Sequence, residues 1–151
     1  MGIRVLADRR NLKLALCTFI VGMFVALSAI AFAGIASSPY KNYGPYSGYY
    51  YKNQASITTS DSFGASAGTS VECSTNVPTG YMGAIARLYT SSGVQVNNSG
   101  WTYNDSPVAA IILGGPWYKT RGTYYSFGIT AAYTSNGYVN VNTYASPYQT
   151  Y

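Results

Sequence analysis

Histidine is absent from the 151 residues, and acids are scarce: four aspartates and glutamates stand against nine lysines and arginines. Without imidazole there is no Ser-His-Asp or Cys-His nucleophile, and the commonest metal ligand is missing. Beyond residue 33 the acids are Asp61, Glu72 and Asp105. Glycoside hydrolysis ordinarily needs two carboxyls flanking one bond, whereas Asp61 (Ser60-Asp61-Ser62) and Asp105 (Asn104-Asp105-Ser106) sit in turn chemistry. The spaced acids of a calcium loop do not occur. Gly64–Gly68 lacks the Gly-Lys-Ser/Thr ending of a phosphate loop. Cysteine is limited to Cys17 and Cys73. Beyond residue 33 Cys73 stands alone, so that part of the chain forms no internal disulfide and no CxxC site. Its strand-like context, Ser70-Val71-Glu72-Cys73-Ser74, reads as a buried inert thiol, with an intermolecular disulfide as the alternative. Together these absences predict a protein that is not an enzyme, takes no cofactor and holds no metal.

Charge of either sign is thin as well. Charged residues make up 9% of the chain against about 25% in ordinary soluble domains, so solubility must come from Ser, Thr, Asn, Gly and tyrosine hydroxyls. The cations divide unevenly. Arg4, Arg9, Arg10 and Lys13 against Asp8 give the first 33 residues a net charge of +3; Lys41, Lys52, Arg87, Lys119 and Arg121 against three acids leave the remainder at +2. Five scattered cations form no basic stripe, which argues against a nucleic-acid partner.

What the sequence does contain begins with a leader. Met1–Lys13 is charged, and Leu14–Ala33 is a run of 20 uncharged residues, long enough to meet a membrane either as a cleaved signal peptide or as a retained anchor helix. Ala31-Phe32-Ala33 before Gly34 is a small-x-small cleavage site, so cutting is expected after Ala33, with Ala29-Ile30-Ala31 as a second register. Arg9-Arg10 loosely resembles a twin-arginine export signal. Cys17 precedes most of the apolar run and lacks a small residue before it, which argues against acylation. Cytoplasmic retention of the positive end places the rest of the chain outside, secreted or held at the membrane.

Residues 34–53 (GIASSPYKNYGPYSGYYYKN) combine two prolines, three glycines and six tyrosines without periodicity. Proline lacks a ladder donor and restricts its neighbour, so the segment reads as an extended arm whose Tyr40, Tyr43, Tyr46, Tyr49, Tyr50 and Tyr51 are available for assembly. From residue 54 to 151 short alternating runs are separated by Gly, Ser, Asn and Pro, predicting an all-β fold: a small antiparallel β-sandwich, or a partly open barrel, of about seven strands. The candidate strands are Gln54–Thr59, Thr69–Ser74, Tyr81–Thr90, Val94–Tyr103, Val108–Leu113, Thr123–Thr134 and Tyr138–Tyr144.

Hairpin turns are predicted at Ser91-Ser92-Gly93 and Ser135-Asn136-Gly137. Met82, Ala84, Ala86 and Leu88 share one face, opposite Tyr81, Ile85, Arg87 and Tyr89, with Arg87 marking the outside. Tyr125, Phe127, Ile129, Ala131 and Tyr133 form an apolar row opposite Tyr124, Ser126, Gly128, Thr130 and Ala132, which predicts a core face and a wet face. Tyr89–Gly93 recurs as Tyr133–Gly137 at an offset of 44 residues, read as convergent turn chemistry with internal duplication as the alternative. Val108–Leu113 is apolar on both faces, hence a buried strand or a membrane-inserting segment.

All 17 tyrosines follow the leader. Phenol rings fill strands, and they also offer flat surfaces with a polar tip. The candidate binding set is Trp101, Tyr103, Trp117, Tyr118, Lys119 and Arg121, around the loop Gly114-Gly115-Pro116-Trp117-Tyr118-Lys119. The function expected from these residues is a secreted binding or assembly protein of the cell surface. Its partner would be an envelope polymer, a glycan or a membrane surface, with self-assembly as a further partner class. The alternatives are a membrane-active toxin of the bacteriocin kind and an extracellular filament subunit that donates residues 34–53 to its neighbour.

Overall fold

The computed structural model describes residues 34–151; the leader, including Ala31 and Ala33, lies outside the described residues. The described residues form antiparallel strands and no helix. Residues that are β-branched, aromatic or small alternate along short runs, and glycine or proline follows many of them.

Three sheets result, none closed into a barrel. The largest contains β1 (Ile35–Ser37), β2 (Lys41–Tyr46), β3 (Tyr49–Ser60), β4 (Gly64–Val77) and β9 (Val108–Gly114), with β1 and β2 both lying along β3. Two four-stranded sheets are assembled from β5 (Met82–Ile85), β6 (Arg87–Thr90), β7 (Gln95–Asn98), β8 (Thr102–Tyr103), β10 (Thr123–Ser126), β11 (Ile129–Thr134), β12 (Gly137–Asn142) and β13 (Gln149–Thr150). Their orders are β12-β11-β5-β8 and β13-β10-β6-β7. Each position is filled by two consecutive pieces of chain, so the candidate strands Tyr81–Thr90, Val94–Tyr103 and Thr123–Thr134 each pass from one sheet to the next. At that corner hydroxyls replace ladder acceptors: Ala86 N–H donates to Ser99 Oγ (3.0 Å), Gly128 N–H to Thr143 Oγ1 (3.0 Å) and Ser126 N–H to Ser146 Oγ (2.8 Å). A buried backbone donor needs a partner wherever the ladder breaks.

Both expected hairpins form. Ser91–Gly93 joins β6 to β7, and Ser135-Asn136 joins β11 to β12 through the pair Thr134↔Gly137. The positive φ falls on Gly137, at 109°, where a side chain would be strained.

The core divides in two between the facing sheets. One part gathers Tyr51, Val71 and Val77 with Met82, Ala84 and Ala132. The other gathers Ile57, Ala65 and Ala67 with Ala86, Leu88 and Tyr124. Met82, Ala84, Ala86 and Leu88 are all fully buried, as their shared face predicts. Burying a Met, Leu, Ile or Val side chain contributes about 1.5–3 kcal/mol. Arg87 lies on the outer side; its Nε donates to Phe127 O (3.0 Å) and its guanidinium covers the Tyr89 and Phe127 rings.

Three expectations are corrected. Residues 34–53 are extended but are not an arm apart from the sheet, because Ile35–Ser37 and Lys41–Tyr46 both pair with β3, whose first five residues also come from this segment. Pro45 is accommodated where β2 lies at the sheet edge and its register shifts between Tyr43 and Tyr46. Val108–Leu113 is not buried but forms an edge strand, with Ile112 86% exposed.

The third correction concerns Thr123–Thr134, whose interior face is the small and polar one. Tyr124, Ser126, Thr130 and Ala132 are buried, while Tyr125, Phe127, Ile129 and Tyr133 of the expected apolar row are half-exposed outside and only its Ala131 is buried. The sheets approach too closely at Gly128 for larger groups: a Cβ there would meet Thr69 Oγ1 at 2.1 Å. The hydroxyls of Ser126 and Thr130 on this face are satisfied internally, as burial requires. Thr130 Oγ1 accepts from Asn53 Nδ2 (2.8 Å) and pairs with Tyr43 Oη (2.9 Å), and Ser126 Oγ donates to Gly68 O (3.2 Å).

Candidate functional site

The long strands β3 and β4 turn Gln54, Ser56, Thr58, Gly68 and Ser70 toward the outer face of the five-stranded sheet, in cross-strand pairs Ser56↔Gly68 and Thr58↔Ser66. After β9 the chain continues along β4: Gly115 N–H donates to Ala67 O (2.7 Å), Tyr118 N–H to Ala65 O (2.8 Å), and Ala65 N–H returns to Tyr118 O (3.0 Å). Ser66 Oγ donates to Gly115 O (2.7 Å) and Asn97 Nδ2 to Pro116 O (3.1 Å), which fixes the loop from both sides. Held at its ends, the loop pushes Pro116 and Trp117 outward.

The Trp117 indole is 41% exposed and rests on Phe63 from the β3–β4 turn, with ring centroids 5.6 Å apart and planes inclined by 36°. Beneath it lies a shallow groove of about 360 Å³, lined by Ser56, Thr58, Ser66, Gly68, Ile112 and Trp117 among others. No charged side chain lines it. Among the described residues, the hydroxyls of Ser56 and Thr58 make no hydrogen bond to protein. An aromatic wall beside unpartnered neutral hydroxyls suits a ligand that has an apolar ring face and hydroxyls at its rim.

A larger hollow of about 580 Å³ lies at the other end of β3, lined by Tyr43, Tyr50, Tyr51, Lys52, Glu72 and Cys73 among others. Its charges are already paired. Glu72 accepts from Tyr40 Oη (2.6 Å) and bridges Lys52 Nζ (2.9 Å), and the Lys52 ammonium lies 4.3 Å from the Tyr40 ring centroid. The Tyr40 hydrogen bond, followed by that of Lys52, holds the Glu72 carboxyl below its usual range. The same bond to Glu72 raises Tyr40, and Glu72 likewise raises Lys52. Burial pushes the Tyr51 phenol up to about 12, with Cys73, Tyr49 and Tyr81 adding to it. Burial also raises Tyr43, against a smaller opposing effect of its bond to Thr130. The Cys73 thiol is free and half-buried.

The six candidate binding residues do not converge. Trp101 and Tyr103 stack on one another (5.8 Å, 19°) beside β5, with Tyr103 over Gly83 and against Tyr138. Trp117 stands on the five-stranded sheet instead. Tyr118 turns inward and packs edge-on against Tyr124 in the second core part. Lys119 is exposed, and Arg121 covers the Tyr151 ring at 5.2 Å.

Of the six arm tyrosines, Tyr43, Tyr46, Tyr49 and Tyr51 contact each other and the first core part, while Tyr40 and Tyr50 remain exposed. Asp61 lies in the β3–β4 turn, and Asp105, in the bend between β8 and β9, accepts from Ser106 Oγ (3.1 Å). Among the described residues no cluster of three acidic or cysteine side chains could hold a metal. Sequence reasoning missed Phe63, Ser56, Thr58 and Ile112 as partners of Trp117. An aromatic residue directly after the turn residues Ser60-Asp61-Ser62 was the available signal for Phe63; Ser56 and Thr58 carried none, because every second residue of β3 is small or polar.

Comparison of the chain with protein-family models, with curated proteins and with solved structures gives no match.

Proposed function

We propose that the protein is a secreted, non-enzymatic β-sandwich module that binds a neutral, hydroxyl-rich polymer of the cell envelope, a glycan, in the groove beneath Trp117. One observation carries this: an exposed indole propped on Phe63 above a floor of uncharged hydroxyls, with no ionic group in the lining. A pyranose laid on the indole would cover apolar ring surface and exchange hydroxyl hydrogen bonds with Ser56 and Thr58. Anionic polymers and lipid headgroups would find no counter-charge there. The scarcity of acids and the absence of histidine support a binding role over a catalytic one.

The experiment is retention of the full chain on immobilised neutral polysaccharides, a glucan, a mannan and chitin, with anionic and zwitterionic vesicles alongside. Trp117→Ala should reduce retention on the bound polysaccharide at least about tenfold, the scale of a buried aromatic anchor. Trp101→Ala, in the segment between β7 and β8, should leave retention unchanged. Equal retention of Trp117→Ala and the unaltered chain, or binding to vesicles alone, would overturn the proposal.

A further inference from the structure

The residues that β3 and β4 send into the two core parts, Tyr51, Ile57, Ala65, Ala67, Val71 and Val77, are all odd-numbered. Side chains alternate along a strand, so the even-numbered ones stand on the opposite face of the five-stranded sheet. Tyr50, Lys52, Gln54, Ser56 and Thr58 thus form one outward row. The Trp117 groove takes in Ser56 and Thr58, and the larger hollow takes in Tyr50 and Lys52. Both depressions therefore open on one face of one sheet. From Tyr50 to Thr58 the extended chain covers about 26 Å, at roughly 3.3 Å per residue.

Gln54 and Ser70, paired across β3 and β4, floor the ground between the two, with Ile112 beside Ser70 on β9. Gln54 uses its Nε2, which donates to Ser38 O (2.7 Å), and keeps its Oε1 for an outside donor. Among the described residues the Ser70 hydroxyl makes no hydrogen bond to protein, nor do the side chains of Asn42 and Ser74 in the hollow. The far end repeats the chemistry of the near one. Tyr50 is 64% exposed and sets an aromatic face beside polar groups, as Trp117 does. Lys52 and Glu72 neutralise each other at 2.9 Å, so the hollow adds no net charge to the face.

We infer that the glycan held beneath Trp117 continues along the β3 row to Tyr50, so that the site takes an internal stretch of an extended neutral polymer and not a chain end or a disaccharide. The inference rests on the glycan reading of the groove and specifies the length of chain which that site engages. The order along the face is aromatic, then hydroxyl and amide, then aromatic. A polysaccharide matches it, with apolar ring faces at intervals and hydroxyls throughout. Once the chain is stacked on Trp117, contact with Tyr50 is intramolecular, so affinity rises when the chain is long enough to reach both.

The test uses the full chain in mild detergent, bound to whichever of the glucan, mannan and chitin retains it and released by that polymer's own oligosaccharides, disaccharide to octasaccharide. Release should become more effective with length, beyond the proportional gain from extra sugars per molecule. Tyr50→Ala should weaken the longest oligosaccharide about two- to tenfold, the scale of one aromatic contact, and leave the disaccharide unchanged. Tyr50→Phe keeps the ring and should restore the length dependence. Because Tyr50 is exposed, both variants should keep the circular dichroism spectrum of the unaltered chain. Length dependence no steeper than proportional, or an unaltered response of Tyr50→Ala to the longest oligosaccharide, would overturn the extended path while leaving the Trp117 groove intact. Failure of every oligosaccharide and polysaccharide to bind would overturn the groove and the path together.

Discussion

Replacing Gly128 by alanine adds one methyl group to the buried face of the chain between β10 and β11. Gly128 is absent from the residues with positive φ, so an alanine there is conformationally allowed. Where space exists, such an exchange stabilises a protein by about 0.4–1 kcal/mol through the unfolded chain. Here the new Cβ would lie 2.1 Å from Thr69 Oγ1 and 2.7 Å from Thr69 Cγ2. Thr69 is itself buried, and its hydroxyl donates to Ile85 O (3.3 Å) across the sheet interface. Thr69 must rotate and abandon that bond, or the sheets must part; overpacking of this kind costs about 1–3 kcal/mol. The expected outcome of Gly128→Ala in urea unfolding, followed by tryptophan fluorescence, is therefore net destabilisation of about 1–2 kcal/mol, the clash outweighing the entropic gain. Thr69→Ala combined with Gly128→Ala should recover part of that loss, with a coupling of about 0.5–3 kcal/mol between the sites. A stabilising or neutral Gly128→Ala, or additive single effects, would refute the close approach of the two sheets.

Leu88→Ala removes a fully buried side chain from the second core part and should cost about 2–5 kcal/mol. Val94→Ala, in the exposed turn between β6 and β7, should stay within about 0.5 kcal/mol by the same urea assay. At alkaline pH the buried Tyr51 keeps its proton up to about 12, against 10.0 for an ordinary phenol. The folded state then binds more protons than the unfolded one between those values, so stability should hold below pH 10 and fall as pH rises toward 12. Tyrosinate absorbance should accordingly appear in part together with unfolding; full ionisation of every tyrosine without loss of β-sheet circular dichroism would contradict it.

Elements whose two faces differ in chemistry were legible in the sequence. Arg87 oriented Met82–Leu88 correctly because a guanidinium cannot be buried cheaply opposite alanines. The Ser-Ser-Gly and Ser-Asn-Gly turns were legible because glycine supplies the positive φ that each hairpin requires. Thr123–Thr134 misled because neither of its faces carries charge. Alternation then fixes which residues share a side but not which side is inside, and tyrosine can lie half-exposed with its hydroxyl in water while serine and threonine are buried and bonded. The passage of three runs from one sheet to another left no compositional break, since the corner is held by distant hydroxyls of Ser99, Thr143 and Ser146. Residues 34–53 looked unfit for a sheet because of their prolines, yet an edge tolerates proline, and the edge position of β2 depends on pairing with the later β3. The groove escaped notice for a related reason: Phe63, Ser56 and Trp117 are brought together by pairing of β3, β4 and the loop after β9, across more than 50 positions of sequence.

Binding of an uncharged ring to an indole should be visible at that indole. In a Trp101→Phe chain, Trp117 is the remaining tryptophan, and titration with the soluble oligosaccharide of whichever neutral polysaccharide retains the protein should produce a saturable change in its emission. Because the groove lining is uncharged, the midpoint should not move with salt, where screening would weaken an ionic contact. Emission that ignores the oligosaccharide, or a midpoint that climbs steeply with ionic strength, would contradict a glycan held beneath Trp117.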